Sequence, residues 1–186
     1  SLMINYFIII IISLQIAYSY ELNTIWGRGN LYRENASINE DQLINIINNK
    51  IKKLNNLFGP IKNEPFDFYI YNKDNLYDLN VNTPQWKWSL GITYRNNKII
   101  IKDPKYSHIT VNKFEQVVEH ELNHLMINRI DLNRTIPRWF KEGFAMLIAH
   151  EISVKHKIKV IRSLGANNLY NLDDLFIFSN FTHEEY

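Results

Sequence analysis

One stretch, His120-Glu121-Leu122-Asn123-His124, constrains this chain more than any other. On a helix, two histidines four residues apart sit one turn apart on the same face. Their ring nitrogens can then converge on one metal ion, and neutral imidazole is a good zinc ligand at ~2.0–2.1 Å. Glu121 falls about 100° around that helix from His120. Its carboxylate therefore stands beside the ion rather than on it, placed to take a proton from a water. A match this short arises by chance in roughly one sequence in a hundred of this His and Glu content. The surrounding chain has to supply a helix, a third ligand and a cleft.

The helix is legible. Thr110 or Asn112 can cap it, and Asn112 with Glu115 reads as a capping box. Phe114, Val118, Leu122, Leu125 and Met126 make one apolar stripe, and Val117, His120, Glu121 and His124 lie on the stripe beside it. The pattern predicts a helix to about Asn128. A polar connection, 131–135, leads to Pro137, which suits a helix start. The next helix, predicted to Ala149, is apolar apart from its start but carries Glu142 in its middle. Such an acid is seldom buried unless paired or bound to metal. Two readings stand: a third ligand, or a salt bridge to Arg138 or Lys141. The small neighbours Gly143 and Ala145 favour the first, because they allow close helix approach.

Upstream, Ser37 and Glu40 match a capping box. Leu43, Ile44, Ile47, Ile51, Leu54 and Phe58 then follow at helical spacing until Gly59-Pro60. Phe66–Tyr71 reads as a strand. Leu90–Tyr94 and Lys98–Ile101 flank Arg95-Asn96-Asn97 as a hairpin, which Asp103-Pro104 ends. Residues 20–36 show no clear period and read as irregular, with a short strand at most. Asn72–Asn75 is a turn and Leu76–Leu79 a single helical turn. Trp86 and Trp88 lie in a loop, where packing on the sheet edge outweighs lining a cleft. Residues 151–164 read as a basic helix and 171–176 as a short one. His150, His156 and His183 are lone histidines, read as exposed or hydrogen-bonded rather than ligating.

The chain has no cysteine, so disulfides, thiolate metal sites and a cysteine nucleophile are excluded. Any metal site must use His and carboxylates. A net charge of +2 with no basic run of five residues argues against a nucleic-acid partner. Residues 2–17 are almost continuously apolar, the length of a signal-peptide core and short for a span of ~20 residues. Small residues at Ala17 and Ser19 predict cleavage near Ser19. The expected organisation is a leader at 1–19 and one domain at 20–186, secreted or exported. The lack of Lys or Arg at the front keeps an uncleaved anchor at 2–17 as the alternative, with membrane association only in that case. Three sequons, at Asn35, Asn133 and Asn180, carry little weight in an Asn-rich chain.

The five-residue motif, followed eighteen residues after His124 by Glu142 within Trp139-Phe140-Lys141-Glu142-Gly143-Phe144-Ala145, resembles the gluzincin metallopeptidases. It is similar to peptidase-MA-like domains and, locally, to the aminopeptidase N family, whose third zinc ligand sits in a Glu-Gly-Phe-Ala context. The resemblance covers roughly residues 60–186. It implies that His120, His124 and Glu142 hold Zn2+ and that Glu121 is the general base of peptide-bond hydrolysis. It also implies a zincin-like α+β fold: a small mixed sheet with an edge hairpin packed on the active-site helix, then a helical subdomain. Such an edge strand typically pairs with an extended peptide or protein substrate, giving affinity without strict sequence preference. The Gly-x-Met-x-Asn exopeptidase motif is not present. Tyr106, His183 and Tyr186 are the candidates for stabilising the oxyanion. Related domains continue into a further helix beyond the point matching Tyr186, so a truncated copy is one reading. The alternative function is an exported binding or structural module on an inactive gluzincin-like scaffold.

Overall fold

A computed structural model of the chain describes residues 19–33, 36–72, 87 and 89–151. The leader, the loop carrying Trp86 and Trp88, the turn and helical turn expected at 73–79, and the helices expected at 151–164 and 171–176 lie outside the described residues, apart from Glu151 itself. So do His156, Asn180, His183 and Tyr186. Among the described residues, no helix is long and apolar enough to cross a membrane.

Five strands and three helices are described: β1 (Ser19–Thr24), β2 (Gly27–Arg33), α1 (Glu40–Phe58), β3 (Asp67–Tyr71), β4 (Gly91–Tyr94), β5 (Lys98–Lys102), α2 (Val111–Ile130) and α3 (Arg138–Ile148). The fold is α+β, with one mixed sheet ordered β1-β2-β3-β5-β4. The outer pairs, β1/β2 and β4/β5, are antiparallel, while β2/β3 and β3/β5 are parallel. Antiparallel neighbours need only a tight turn, but parallel ones need a crossover, which α1 supplies between β2 and β3.

The first hairpin corrects the reading of 20–36 as irregular. β1 and β2 pair from Ser19↔Tyr32 to Thr24↔Gly27. They lack an alternating apolar pattern because few of their side chains reach the core, notably Leu22 and Leu31. Gly27 has φ 137°, a conformation that side chains rarely adopt, and a Cβ there would meet the Glu64 carbonyl at 2.1 Å. The caps also differ in detail. α1 starts from Asn39, whose side chain accepts from the N–H groups of Asp41 and Gln42. Ser37 instead bonds Asp103 through its N–H (2.6 Å) and hydroxyl (2.8 Å). α2 starts from Thr110 rather than Asn112 and runs to Ile130.

Side-chain alternation along the strands decides what faces the helices. Phe68, Ile70, Ile99 and Ile101 enter the main core with Leu43, Ile47 and Ile51 of α1 and Phe114, Val118, Leu122 and Leu125 of α2. Tyr71, Ile100, Tyr69, Ile92 and Tyr94 cluster on the opposite face of the sheet. Since Ile92 and Tyr94 point away from α2, period two turns Gly91 and Thr93 toward it. This places edge strand β4 directly against the face of α2 that carries Glu121.

Two polar clamps hold α2 in register. Buried Glu119 pairs with Lys50 at 3.3 Å and with Lys53, docking α1. Buried Arg129 donates to the carbonyls of Trp26 (3.0 Å), Glu64 (2.9 Å) and Asn96 (3.2 Å). It thereby joins the end of α2 to both hairpin turns and to the approach of β3.

Candidate metal centre

Helical geometry brings His120 and His124 together as their spacing requires. Their Nε2 atoms are 3.0 Å apart and their ring planes cross at 69°. α3 adds Glu142, whose Oε2 lies 3.6 Å from His120 Nε2 and 3.4 Å from His124 Nε2. Among the described residues these three form the one group able to hold a metal. Tetrahedral donors bonded at ~2.0–2.1 Å stand roughly 3.3–3.4 Å apart, and the three edges of this triangle, 3.0–3.6 Å, bracket that spacing. The donor set, two imidazole nitrogens and one carboxylate oxygen, suits zinc.

Glu142 reconciles both of its sequence readings. Oε2 faces the histidines while Oε1 lies 3.8 Å from Arg138 Nε. Lys141 bonds Asp131 at 2.9 Å. The role expected of Gly143 needs correction. A Cβ added there would meet nothing within 4 Å, so it is buried Ala145, not Gly143, that lets α3 approach closely.

Glu121 lies against β4 and is only 5% exposed. Thr93 Oγ1 stands 2.8 Å from its Oε2 and 2.8 Å from its backbone oxygen. A Cβ at Gly91 would sit 2.8 Å from Glu121 Cγ and 2.9 Å from Oε1, so glycine is what makes room for this carboxylate. Burial pushes the Glu121 carboxyl up, against the pull of His124 and His120.

The field at the centre favours positive charge. Burial works against an imidazolium at His120, but the carboxylates of Glu142 and Glu151 on either side of the ring outweigh it and raise the group to about 10. Burial likewise raises Glu142, and its bonds to His120 and His124 outweigh this, holding it well below the usual carboxylate range. A site that stabilises a cation between two imidazoles and a carboxylate suits a metal dication in the same place.

Sequence reasoning missed Glu151, Thr93 and Gly91. Glu151 Oε2 lies 2.8 Å from His120 Nδ1 across 31 residues of chain, and Thr93 reaches Glu121 across 28. No local spacing signals either contact. Tyr106, a candidate from sequence, is partly exposed in the turn after β5, its N–H donating to Asp103 at 3.2 Å. His150 is exposed at the end of α3, in keeping with its reading as a non-ligand.

A family model of the Peptidase MA superfamily matches residues 46–183. The chain belongs to the Peptidase MA superfamily. No curated protein and no solved structure gives a match to it. The Peptidase MA match starts within α1 and takes in β3, β4, β5 and both helices of the His120–His124–Glu142 cluster. Peptidase MA proteins are generally zinc-dependent, and the chain has the His/His/Glu group that such a metal needs.

Proposed function

We propose that this protein is a zinc-dependent peptidase of the gluzincin type on a zincin-like fold, with local similarity to the aminopeptidase N family. His120, His124 and Glu142 hold Zn2+, and Glu121 is the general base. The carrying observation is the convergence of Nε2, Nε2 and Oε2 from two helices to within 3.0–3.6 Å, with a buried fourth group, Glu121, beside them.

Zinc, when bound, supplies Lewis-acid polarisation of the scissile carbonyl and acidifies the attacking water. The chain's own residues do the rest. Glu121 takes the proton of that water and passes it to the leaving amide nitrogen. Burial raises the affinity of its carboxylate for a proton, which suits a group that must take one up and then release it. Thr93 steadies Oε2 and Gly91 keeps Oε1 unobstructed. β4 pairs with β5 along one edge, and its other edge is the end of the described sheet. That edge receives the backbone of an extended peptide or protein substrate, and Thr93 sets the distance from the strand to Glu121. The protein is exported by a leader at residues 1–19 or, in the alternative, held at the membrane by an uncleaved anchor at residues 2–17.

Purified protein is expected to carry one zinc per chain and to cleave a broad peptide library, with loss of cleavage on chelation and recovery on adding zinc back. Glu121→Gln keeps the zinc and loses hydrolysis by at least ~100-fold, whereas His124→Ala loses the metal. A Glu121→Gln protein cleaving at the parent rate would overturn the role of Glu121. Stoichiometric zinc without any cleavage would favour an inactive gluzincin-like scaffold.

A further inference from the structure

Glu151 closes a three-point contact between α2 and the segment that ends α3. Lys113, Gln116 and His120 occupy one face of α2, at spacings of three and four residues. Lys113 Nζ bonds Glu151 Oε1 at 2.8 Å, Gln116 Nε2 donates to the His150 carbonyl at 3.4 Å, and His120 Nδ1 lies 2.8 Å from Glu151 Oε2. His150 has φ 56°, the left-handed conformation that ends many helices. The N–H of Glu151 then closes on the Met146 carbonyl at 2.9 Å. This reversal carries the Glu151 side chain back to α2 instead of along the axis of α3.

We propose that Glu151 is a positioning residue for the metal centre, and that Lys113 sets it in place. The inference rests on the metal-site reading above. An ionised carboxylate can only accept hydrogen bonds, so Nδ1 of His120 must carry the proton. In a neutral imidazole, Nε2 is then left as the lone pair, aimed at the point shared with His124 and Glu142. Lys113 occupies the other oxygen of Glu151 and fixes which one faces the imidazole. α3 and the segment that ends it thereby flank both sides of the His120 ring, Glu142 near Nε2 and Glu151 at Nδ1.

A purely structural salt bridge makes a different prediction. It would depend on the Lys113–Glu151 pair and be lost equally in Glu151→Gln and Glu151→Ala, with zinc affinity unmoved. As a positioning group, Glu151 acts through its acceptor oxygen, which the Gln amide retains. The experiment is competition of the metal-free full chain against a chromophoric zinc chelator, with melting of each metal-free protein alongside. Glu151→Ala is expected to weaken zinc binding by ~10–100-fold. Glu151→Gln is expected to stay within about tenfold of the parent, and Lys113→Met to fall between Gln and Ala. In zinc-loaded protein with 15N-labelled histidine, His120 is expected to show a protonated Nδ1 and a ligated Nε2. Parent-like affinity in Glu151→Ala, or ligation of His120 through Nδ1, would overturn the inference while leaving the metal site standing. A parent that takes up no stoichiometric zinc would overturn the metal-site reading and this inference together.

Discussion

The Thr93 hydroxyl stands 2.8 Å from two oxygens of a single residue, the backbone carbonyl and Oε2 of Glu121. It has one proton to give and two acceptors within reach. It therefore links edge strand β4 to the proposed base at both backbone and side chain. A substrate strand laid along β4 would be registered on the same residue that positions the base.

Removing this hydroxyl tests that link. Thr93→Val keeps the shape and leaves Oε2 without its donor. A hydrogen bond to a charged group contributes roughly 1.5–3 kcal/mol, so turnover is expected to fall about 10–100-fold while zinc content stays at the parent level. Steady-state kinetics with metal analysis on the same preparation checks both.

Gly91 is a steric test of the same carboxylate. The Cβ of Gly91→Ala would approach Glu121 Cγ to 2.8 Å and Val117 Cγ1 to 3.0 Å. Either the base turns aside or β4 moves off α2. The expected result is a fall in kcat with zinc retained, and a larger fall for Gly91→Val. An unchanged kcat in both variants would mean that Glu121 need not keep this position.

Asp131 gives a pH dependence remote from the centre. Its carboxylate accepts from Lys141 (2.9 Å), from the N–H (2.7 Å) and hydroxyl (2.8 Å) of Thr135, and from the Ile136 N–H (3.0 Å). Lys141 and these donors outweigh burial and hold it well below its usual value. The folded state thus binds this proton more weakly than the unfolded chain. Its stabilisation is full above the unfolded value of ~3.9 and is lost as pH falls below it, toward the depressed folded value. Asp131→Asn is expected to melt below the parent at neutral pH, with the gap narrowing in melts taken at successively lower pH below about 4.

Arg129 carries a stability prediction. Its guanidinium satisfies carbonyls of Trp26, Glu64 and Asn96 from three separate segments. Arg129→Met would leave the Glu64 and Asn96 carbonyls to water or to no partner and the Trp26 carbonyl with the Glu64 N–H (3.1 Å), at ~1–3 kcal/mol for each one left buried and unpaired. A loss of about 3 kcal/mol or more is expected in urea unfolding. The first hairpin should be the segment most exposed to hydrogen exchange, because Arg129 anchors its turn.

The sequence carried the parts of this protein that depend on local period and spacing. α1 and α2 were legible from apolar residues at helical spacing, α3 from Pro137 and the apolar run after it, and β3 and the β4–β5 hairpin from aromatic and β-branched runs and the turn residues beside them. The pairing of His120 with His124 was legible for the same reason, since a four-residue step on a helix is a fixed vector. Glu142 was found as an acid out of place on an apolar helix, a compositional signal. The β1–β2 hairpin left no such trace, because its residues lie mostly outside the core and its pairing is made by backbone.

Tertiary structure alone decided the rest. The order β1-β2-β3-β5-β4 is set by which strands pair across the sheet, which no local period encodes. Glu151, Thr93 and Gly91 reach the centre from residues far along the chain, through contacts that the spacing of residues cannot encode. Helical repetition determines which side chains can meet on one element. Only the packing of elements determines what stands opposite them, and here that sets the acceptor behind His120 and the hydroxyl beside Glu121.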